Sequence, residues 1–225
     1  MTRSILALVL FVTVSASAVA QSTALDTINE PRSGTPFPVS LTPPGDTTPH
    51  WIMGTGIRQR TIFRVKIYAF GLYVDPEGAR ASLSRFARLP ASTLARDESF
   101  YRHLLDLDFA MTLRLVMTRT VDGDDVAEAF DDALRPRMTR AVTDTNNAGE
   151  LAVLERFRGY FDVDEVRTGT EIVFSCGPAG RLATSVGGDE RPPIDSRALC
   201  RALFDVYLGE DPISDDGKRS IIAGF

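Results

Sequence analysis

Between Leu105 and Met117 every odd position is apolar: Leu105, Leu107, Phe109, Met111, Leu113, Leu115 and Met117. Asp106, Asp108, Thr112, Arg114 and Thr118 hold most of the even positions. A period of two puts these sets on opposite faces of an extended chain, so the run predicts a long strand with one buried face. The same period marks residues 50–75, where "HWIMGTGIR" and "TIFRVKIYAFGLYVD" read as two strands joined near Gln59 and Arg60. In the second, Phe63, Val65, Ile67 and Ala69 alternate with Arg64, Lys66, Tyr68 and Phe70, which places Tyr68 with the polar set. "FPVSL" suggests a short early strand, and "TGTEIVFSCGPAGRLATSVGG" a hairpin turning at Gly177 to Gly180.

Elsewhere the pattern turns helical. Asp75 and Pro76 supply a cap and a first-turn proline, followed by Ala81, Leu83, Phe86 and Leu89 on one side. "VDGDDVAEAFDDAL" gathers Asp122, Asp124, Asp125, Asp131 and Asp132 but lacks the spacing of a twelve-residue calcium loop. Acidic residues at a helix start meet its positive dipole end, so a helix is the reading here. Further helices are expected over Ala148 to Phe161, over Asp195 to Leu208, and after a Ser214 cap at the C-terminal end. Strands and helices in blocks indicate an α+β fold.

The N-terminal stretch "MTRSILALVLFVTVSASAVA" has Arg3, an apolar run and an Ala18-x-Ala20 ending, the features of a signal peptide cleaved after Ala20. The run stops too soon to span a bilayer, which takes roughly 20 apolar residues. The expectation is an exported chain, periplasmic or secreted, with residues 21–35 a mobile leader rich in Pro, Ser and Thr and residues 36–225 one domain. A net charge of −5 and a pI near 5.1 argue against nucleic acid as a partner. Cys176 and Cys200 would meet an oxidising compartment; a bridge is geometrically open to them, but spacing alone favours two buried thiols. With His50 and His103 they make a poor zinc set, so no metal and no cofactor is expected.

Catalytic templates are missing: the chain has no GxSxG, no GxxxxGK[ST] and no HExxH, and "GTGIRQ" lacks the third glycine of a dinucleotide fingerprint. Gly54 and Gly56 instead suggest close backbone approach. Gly54, Gly56 and Arg58, then Lys66, Ala69, Gly71 and Tyr73, together with the late Leu208, Gly209, Asp211, Pro212 and Ser214, resemble the chalcone isomerase-like family. The resemblance runs from about Phe37 to the C-terminus. It implies an antiparallel sheet covered by a layer of helices, with a ligand cleft between them.

The family includes isomerases that cyclise a chalcone and non-catalytic members similar to fatty-acid-binding proteins. Arg58 matches the arginine that steadies the attacking phenolate in the isomerases. Tyr68 stands where their threonine would be, the tyrosine position falls on Asp122, the asparagine position on Ala129, and a late polar position on Val206. An arginine with a tyrosine on the next strand is, by contrast, the pair with which fatty-acid-binding members hold a carboxylate, although the connection between the two is two residues shorter here than in the plant forms. A planar guanidinium fork and a phenol donor suit that anion. The resemblance therefore implies a non-catalytic binder of a hydrophobic carboxylate through Arg58 and Tyr68, with Ala129 and Val206 lining the pocket. Arg60 and Arg64 are rival cations. An intramolecular lyase, or a structural domain whose cleft is filled by side chains, remains an alternative.

Overall fold

The computed structural model describes residues 26–60, 65–141 and 147–225. The signal peptide and its cleavage point lie outside these residues, as do Phe63 and Arg64. Strands β1 (Thr27–Asn29) and β2 (Pro36–Pro38) form a small antiparallel hairpin. In its turn the Glu30 carboxylate accepts from the backbone N–H of Ser33 at 2.7 Å, and Gly34 takes a φ of +73°. Of the leader expected over 21–35, Thr27–Asn29 form β1 and residues 30–35 the turn of this hairpin. Its Pro, Ser and Thr content encodes turns, and the hairpin is anchored by Phe37, fully buried against Ala69 and Tyr73.

Next come β3 (Ser40–Leu41), β4 (His50–Arg60) and β5 (Val65–Val74), then helices α1 (Pro76–Ser82), α2 (Ala91–Leu94) and α3 (Glu98–Leu105). After β6 (Met111–Met117) and β7 (Val121–Asp122) the chain enters α4 (Gly123–Ala141) and α5 (Asn147–Arg158). It closes with β8 (Glu165–Val166), β9 (Glu171–Cys176), β10 (Arg181–Val186), β11 (Asp189–Asp195), α6 (Arg197–Leu208) and α7 (Asp215–Ile222). The main sheet is antiparallel in the order β11-β10-β9-β6-β5-β4-β3, and β7 pairs with β8. This is the α+β architecture that the block pattern indicated. Among the described residues no helix is long and apolar enough to cross a membrane.

One face of the sheet carries Phe70, Leu72 and Val74 of β5, Leu113 and Leu115 of β6, and Ile172 and Phe174 of β9, buried against Phe130, Phe157, Leu203 and Phe204 of the helices. On the other face the N-terminal hairpin packs Phe37 against Ala69 and Tyr73. The alternation over Leu105 to Met117 is only partly a strand, since Leu105 closes α3 and Leu107 sits at φ +56°. Asp97 caps α3, accepting from the N–H of Ser99 at 2.8 Å, and Phe100 and Leu104 bury the same helical face. Leu107 and Phe109 are buried by the turn that follows, which satisfies the odd spacing without extended pairing.

Two close approaches fix the helices on the sheet. A Cβ on Gly54 would lie 2.5 Å from the Ser220 carbonyl carbon, and one on Gly56 2.5 Å from Phe70 Cζ and 2.6 Å from Gly217 Cα. The glycine pair is therefore the saddle on which α7 rests. Ser214 caps α7 by accepting from the Gly217 N–H at 3.2 Å. The second approach corrects an expectation: Cys176 and Cys200 are joined in a disulfide, with Cα atoms 6.0 Å apart. The β10–β11 hairpin returns the chain so that Ser196 N–H bonds to Gly180 O at 2.9 Å, and α6 starts directly over the end of β9.

Adding a methyl group at Gly56 should lower stability by about 1 to 3 kcal/mol, because the buried Phe70 ring and the Gly217 backbone have to move. Urea melts of Gly56→Ala against wild type check this; an unchanged midpoint would mean that α7 is not seated there. Removing the disulfide, which closes a loop of 24 residues in sequence separation, should cost about 3 kcal/mol. Intact mass should rise by two hydrogens on reduction after unfolding, and a chain already carrying both hydrogens when isolated would contradict the bridge.

Candidate functional site

The cavity lies where the sheet runs past the helical cover, between β4, β5, β6 and β9 on one side and α4 and α6 on the other, with Pro212 and Ile213 closing one wall. Its volume is about 670 Å³. Leu115, Met117 and Ile172 form its floor, and Val126, Phe130 and Val206 its roof. Arg58, Tyr68, Ala129 and Val206, the four positions singled out from the sequence, all line it, and Asp122 stands at its exposed rim. Arg60 is an exposed lining residue, whereas Arg64 lies outside the described residues.

Arg58 and Tyr68 are direct cross-strand partners in the β4–β5 ladder. Immediately beyond them the register shifts: Gln59 faces Lys66, leaving Ile67 as the extra residue of a bulge. A bulge re-aims side chains beside the ladder, and here Ile67 and Tyr68 both line the cavity although strict alternation would send them to opposite faces. The placing of Tyr68 with Lys66 on a polar face is corrected accordingly. Lys66 reaches the backbone carbonyl of Arg32, while Tyr68 shares the helix-facing side with Phe70 and Leu72.

Behind Tyr68 stands a residue that the sequence reading missed. The Tyr68 and Tyr207 hydroxyls are 3.0 Å apart, and the Tyr207 ring packs edge-on against Phe70 at 4.9 Å. Tyr207 is fully buried on α6, one position beyond the Val206 that the family resemblance singles out. Its signal was available: Cys200, Leu203, Phe204 and Tyr207 form an i, i+3, i+4, i+7 stripe, and a tyrosine in a buried stripe needs a partner for its hydroxyl.

Burial pushes the Tyr68 phenol up, opposed by its bond to Tyr207 and by the Arg58 charge; burial, with the neighbouring Tyr68, drives Tyr207 well above the ordinary tyrosine value. Both keep their protons at neutral pH. Two hydroxyls carry two protons, one of which is spent inside the pair. The other is free to point into the cavity when Tyr207 donates to Tyr68. Among the described residues no carboxylate comes within 4.0 Å of the half-buried Arg58 guanidinium. Arg58 and Tyr68 thus offer the cavity donors and positive charge beside the apolar surface of its floor and roof, while Arg60, Arg119, Asp125 and Asp132 are charged lining residues. Neither His50, bonded to Thr112 at 2.8 Å, nor His103, bonded to Ser99 O at 2.8 Å, is among its lining residues.

Comparison with known proteins agrees with this geometry. Residues 48–222 match the family model described as chalcone isomerase like. The chain is 34% identical over 199 residues to Fatty-acid-binding protein 2 of Arabidopsis thaliana, covering 85% of this chain and 49% of that protein. It is 26% identical over 203 residues to Fatty-acid-binding protein 1 of the same plant, covering 88% and 70%. Chalcone–flavanone isomerase of Oryza sativa subsp. japonica is 29% identical over 201 residues, covering 84% and 85%. The crystal structure of the Arabidopsis thaliana fatty-acid binding protein AtFAP1 matches with a TM-score of 0.75 at 26% identity, over 88% of this chain and 96% of that one. The chain spans about half the length of Fatty-acid-binding protein 2. With the model match running through the sheet, the cavity and the last helix, the chain belongs to the chalcone isomerase-like family.

Proposed function

We propose that this protein binds a hydrophobic carboxylate such as a fatty acid, without catalysis, with the carboxylate on Arg58 and Tyr68 and the tail along the apolar body of the cavity. The observation that carries this reading is a half-buried guanidinium with no carboxylate of its own among the described residues, beside a phenol paired with a second hydroxyl at 3.0 Å, a pair that holds one proton more than its mutual bond uses. An anion completes that arrangement, accepting charge-assisted hydrogen bonds from the guanidinium and one more from the phenol. A volume of about 670 Å³ suits an acyl-sized ligand and speaks against a cleft filled by side chains. The names of the fatty-acid-binding relatives support the same ligand class.

The lyase reading is weaker because the positions that would handle protons in an isomerase are occupied by exposed Asp122 and by the methyl group of Ala129. Export remains part of the proposal; the disulfide supports it, since such bonds persist in oxidising compartments.

Titration with a fluorophore-labelled hexadecanoate tests the site. Arg58→Ala should weaken binding by about 1.5 to 3 kcal/mol, roughly 10- to 150-fold, with the urea midpoint retained. Tyr68→Phe, which deletes one neutral donor, should cost about 0.5 to 1.5 kcal/mol of binding. Unchanged affinity in Arg58→Ala together with a collapsed melting midpoint would make Arg58 a structural residue and sink the proposal. Separately, 2′-hydroxychalcone should cyclise at the buffer rate in the presence of the protein. Arg58-dependent turnover would establish the lyase instead.

A further inference from the structure

We infer that the Cys176–Cys200 disulfide is a positioning device for the ligand site: it sets the register of α6 on the sheet so that the Tyr207 hydroxyl meets that of Tyr68. The inference rests on the reading of Tyr68 as the ligand's phenol donor.

Cys200 and Tyr207 are seven residues apart on one helix, two turns along, and so lie on the same face about 10 Å from each other. Cys176 ends β9 on the helix-facing side, in the ladder row Cys176–Met111–Val74, whose β5 member lies on the same face as Tyr68. One covalent bond therefore ties the sheet to α6 at the near end, and one hydrogen bond joins the two at the far end. Between them Leu203 and Phe204 make apolar contacts, which are non-directional and tolerate sliding.

The hydroxyl pair does not tolerate sliding. A slip of one residue along α6 moves each side chain by about 1.5 Å and turns it by about 100°. That would exchange Tyr207 for Val206 or Leu208, neither of which can bond to Tyr68. Even a shift of about 1 Å would take the oxygens from 3.0 Å to beyond hydrogen-bonding range. The other tethers on this helix are hydrogen bonds and ion pairs to loops and neighbouring helices: Arg197 donates to Pro178 O at 3.0 Å, and Arg201 to Leu105 O at 3.2 Å and to Asp106 at 3.0 Å. Arg137 pairs with Asp205 at 2.9 Å and holds α6 to α4 rather than to the sheet. The bridge is the covalent restraint that fixes α6 against β9 itself.

The bridge acts on the ligand through the proton count. With Tyr207 in place, its O–H is satisfied by the Tyr68 oxygen and the Tyr68 proton is left for the carboxylate. With Tyr207 displaced, the Tyr68 oxygen loses its donor and the phenol is free to turn away from Arg58.

The test uses the full chain with and without the bridge, each with and without Tyr207→Phe. Bridge removal is made as Cys176→Ala with Cys200→Ala, and as Cys176→Val with Cys200→Ala to keep the space filled. The first readout needs no ligand: alkaline titration of tyrosine absorbance, with the step belonging to Tyr207 identified by its loss in Tyr207→Phe. In the bridged protein that step should fall well above the ordinary tyrosine range, and in the bridge-free variants it should move down toward it. The second readout is affinity for the labelled hexadecanoate. Tyr207→Phe should weaken binding about 2- to 10-fold in the bridged chain and have little further effect in bridge-free chains that have already lost a similar factor. A lowered melting midpoint with the Tyr207 step unmoved, and with the full effect of Tyr207→Phe retained, would overturn the inference and leave the bridge a purely stabilising bond. If the hexadecanoate binds none of these proteins, the ligand proposal fails while the absorbance titration still decides the positioning role.

Discussion

A guanidinium on the core-facing side of a sheet needs an answer, and the residue directly across the ladder from Arg58 is a phenol rather than a carboxylate. This cross-strand pair organises the end of the fold that matters for function. A phenol cannot neutralise the charge, so the charge stays available. The bulge at Ile67 keeps Tyr68 turned inward while the following strand resumes its pleat, and Tyr207 holds the phenol from behind. Charge, donor and the donor's support are then supplied by three separate elements, β4, β5 and α6, whose relative placement the rest of the molecule has to secure.

That placement comes from contacts remote from the cavity. Gly54 and Gly56 let α7 lie directly on β4, and because the chain reaches α7 through Pro212 and Ile213, seating the helix also sets one cavity wall. Arg32, in the turn of the N-terminal hairpin, pairs with Asp216 in the first turn of α7, so the segment over the opposite face of the sheet also holds this helix. The disulfide ties α6 to the sheet at the other end.

Much of the fold was legible because it rests on local pattern. Hydrophobic alternation located β5, β6, β9 and β10, and the caps Asp75 and Ser214 located the starts of α1 and α7. Arg58 and Tyr68 were legible through their resemblance to a family motif, and both reach the cavity. What escaped depends on contacts distant in sequence or on a single inserted residue. A bulge leaves no mark in a period-two pattern, so Lys66 and Tyr68 were placed on one face. Tyr207 escaped because the family resemblance points to its neighbour, and helical phase decides which of the two meets the sheet. The disulfide needed the return path of the β10–β11 hairpin, which no spacing of two cysteines conveys. Residues 105–109 shared the strand's odd spacing while belonging to a helix end and a turn, since burial on alternate residues does not require extended backbone.

The central claim is that a ligand carboxylate sits ionised against Arg58. It is tested most directly by the carboxyl ¹³C resonance of hexadecanoate labelled at C1, followed by NMR as a function of pH in complex with the protein. A guanidinium and a phenol donor both favour the charged form. The bound carboxyl should therefore stay ionised to lower pH in wild type than in Arg58→Ala, with a separate resonance from the free acid. A bound carboxyl that titrates identically in the two proteins would contradict the account.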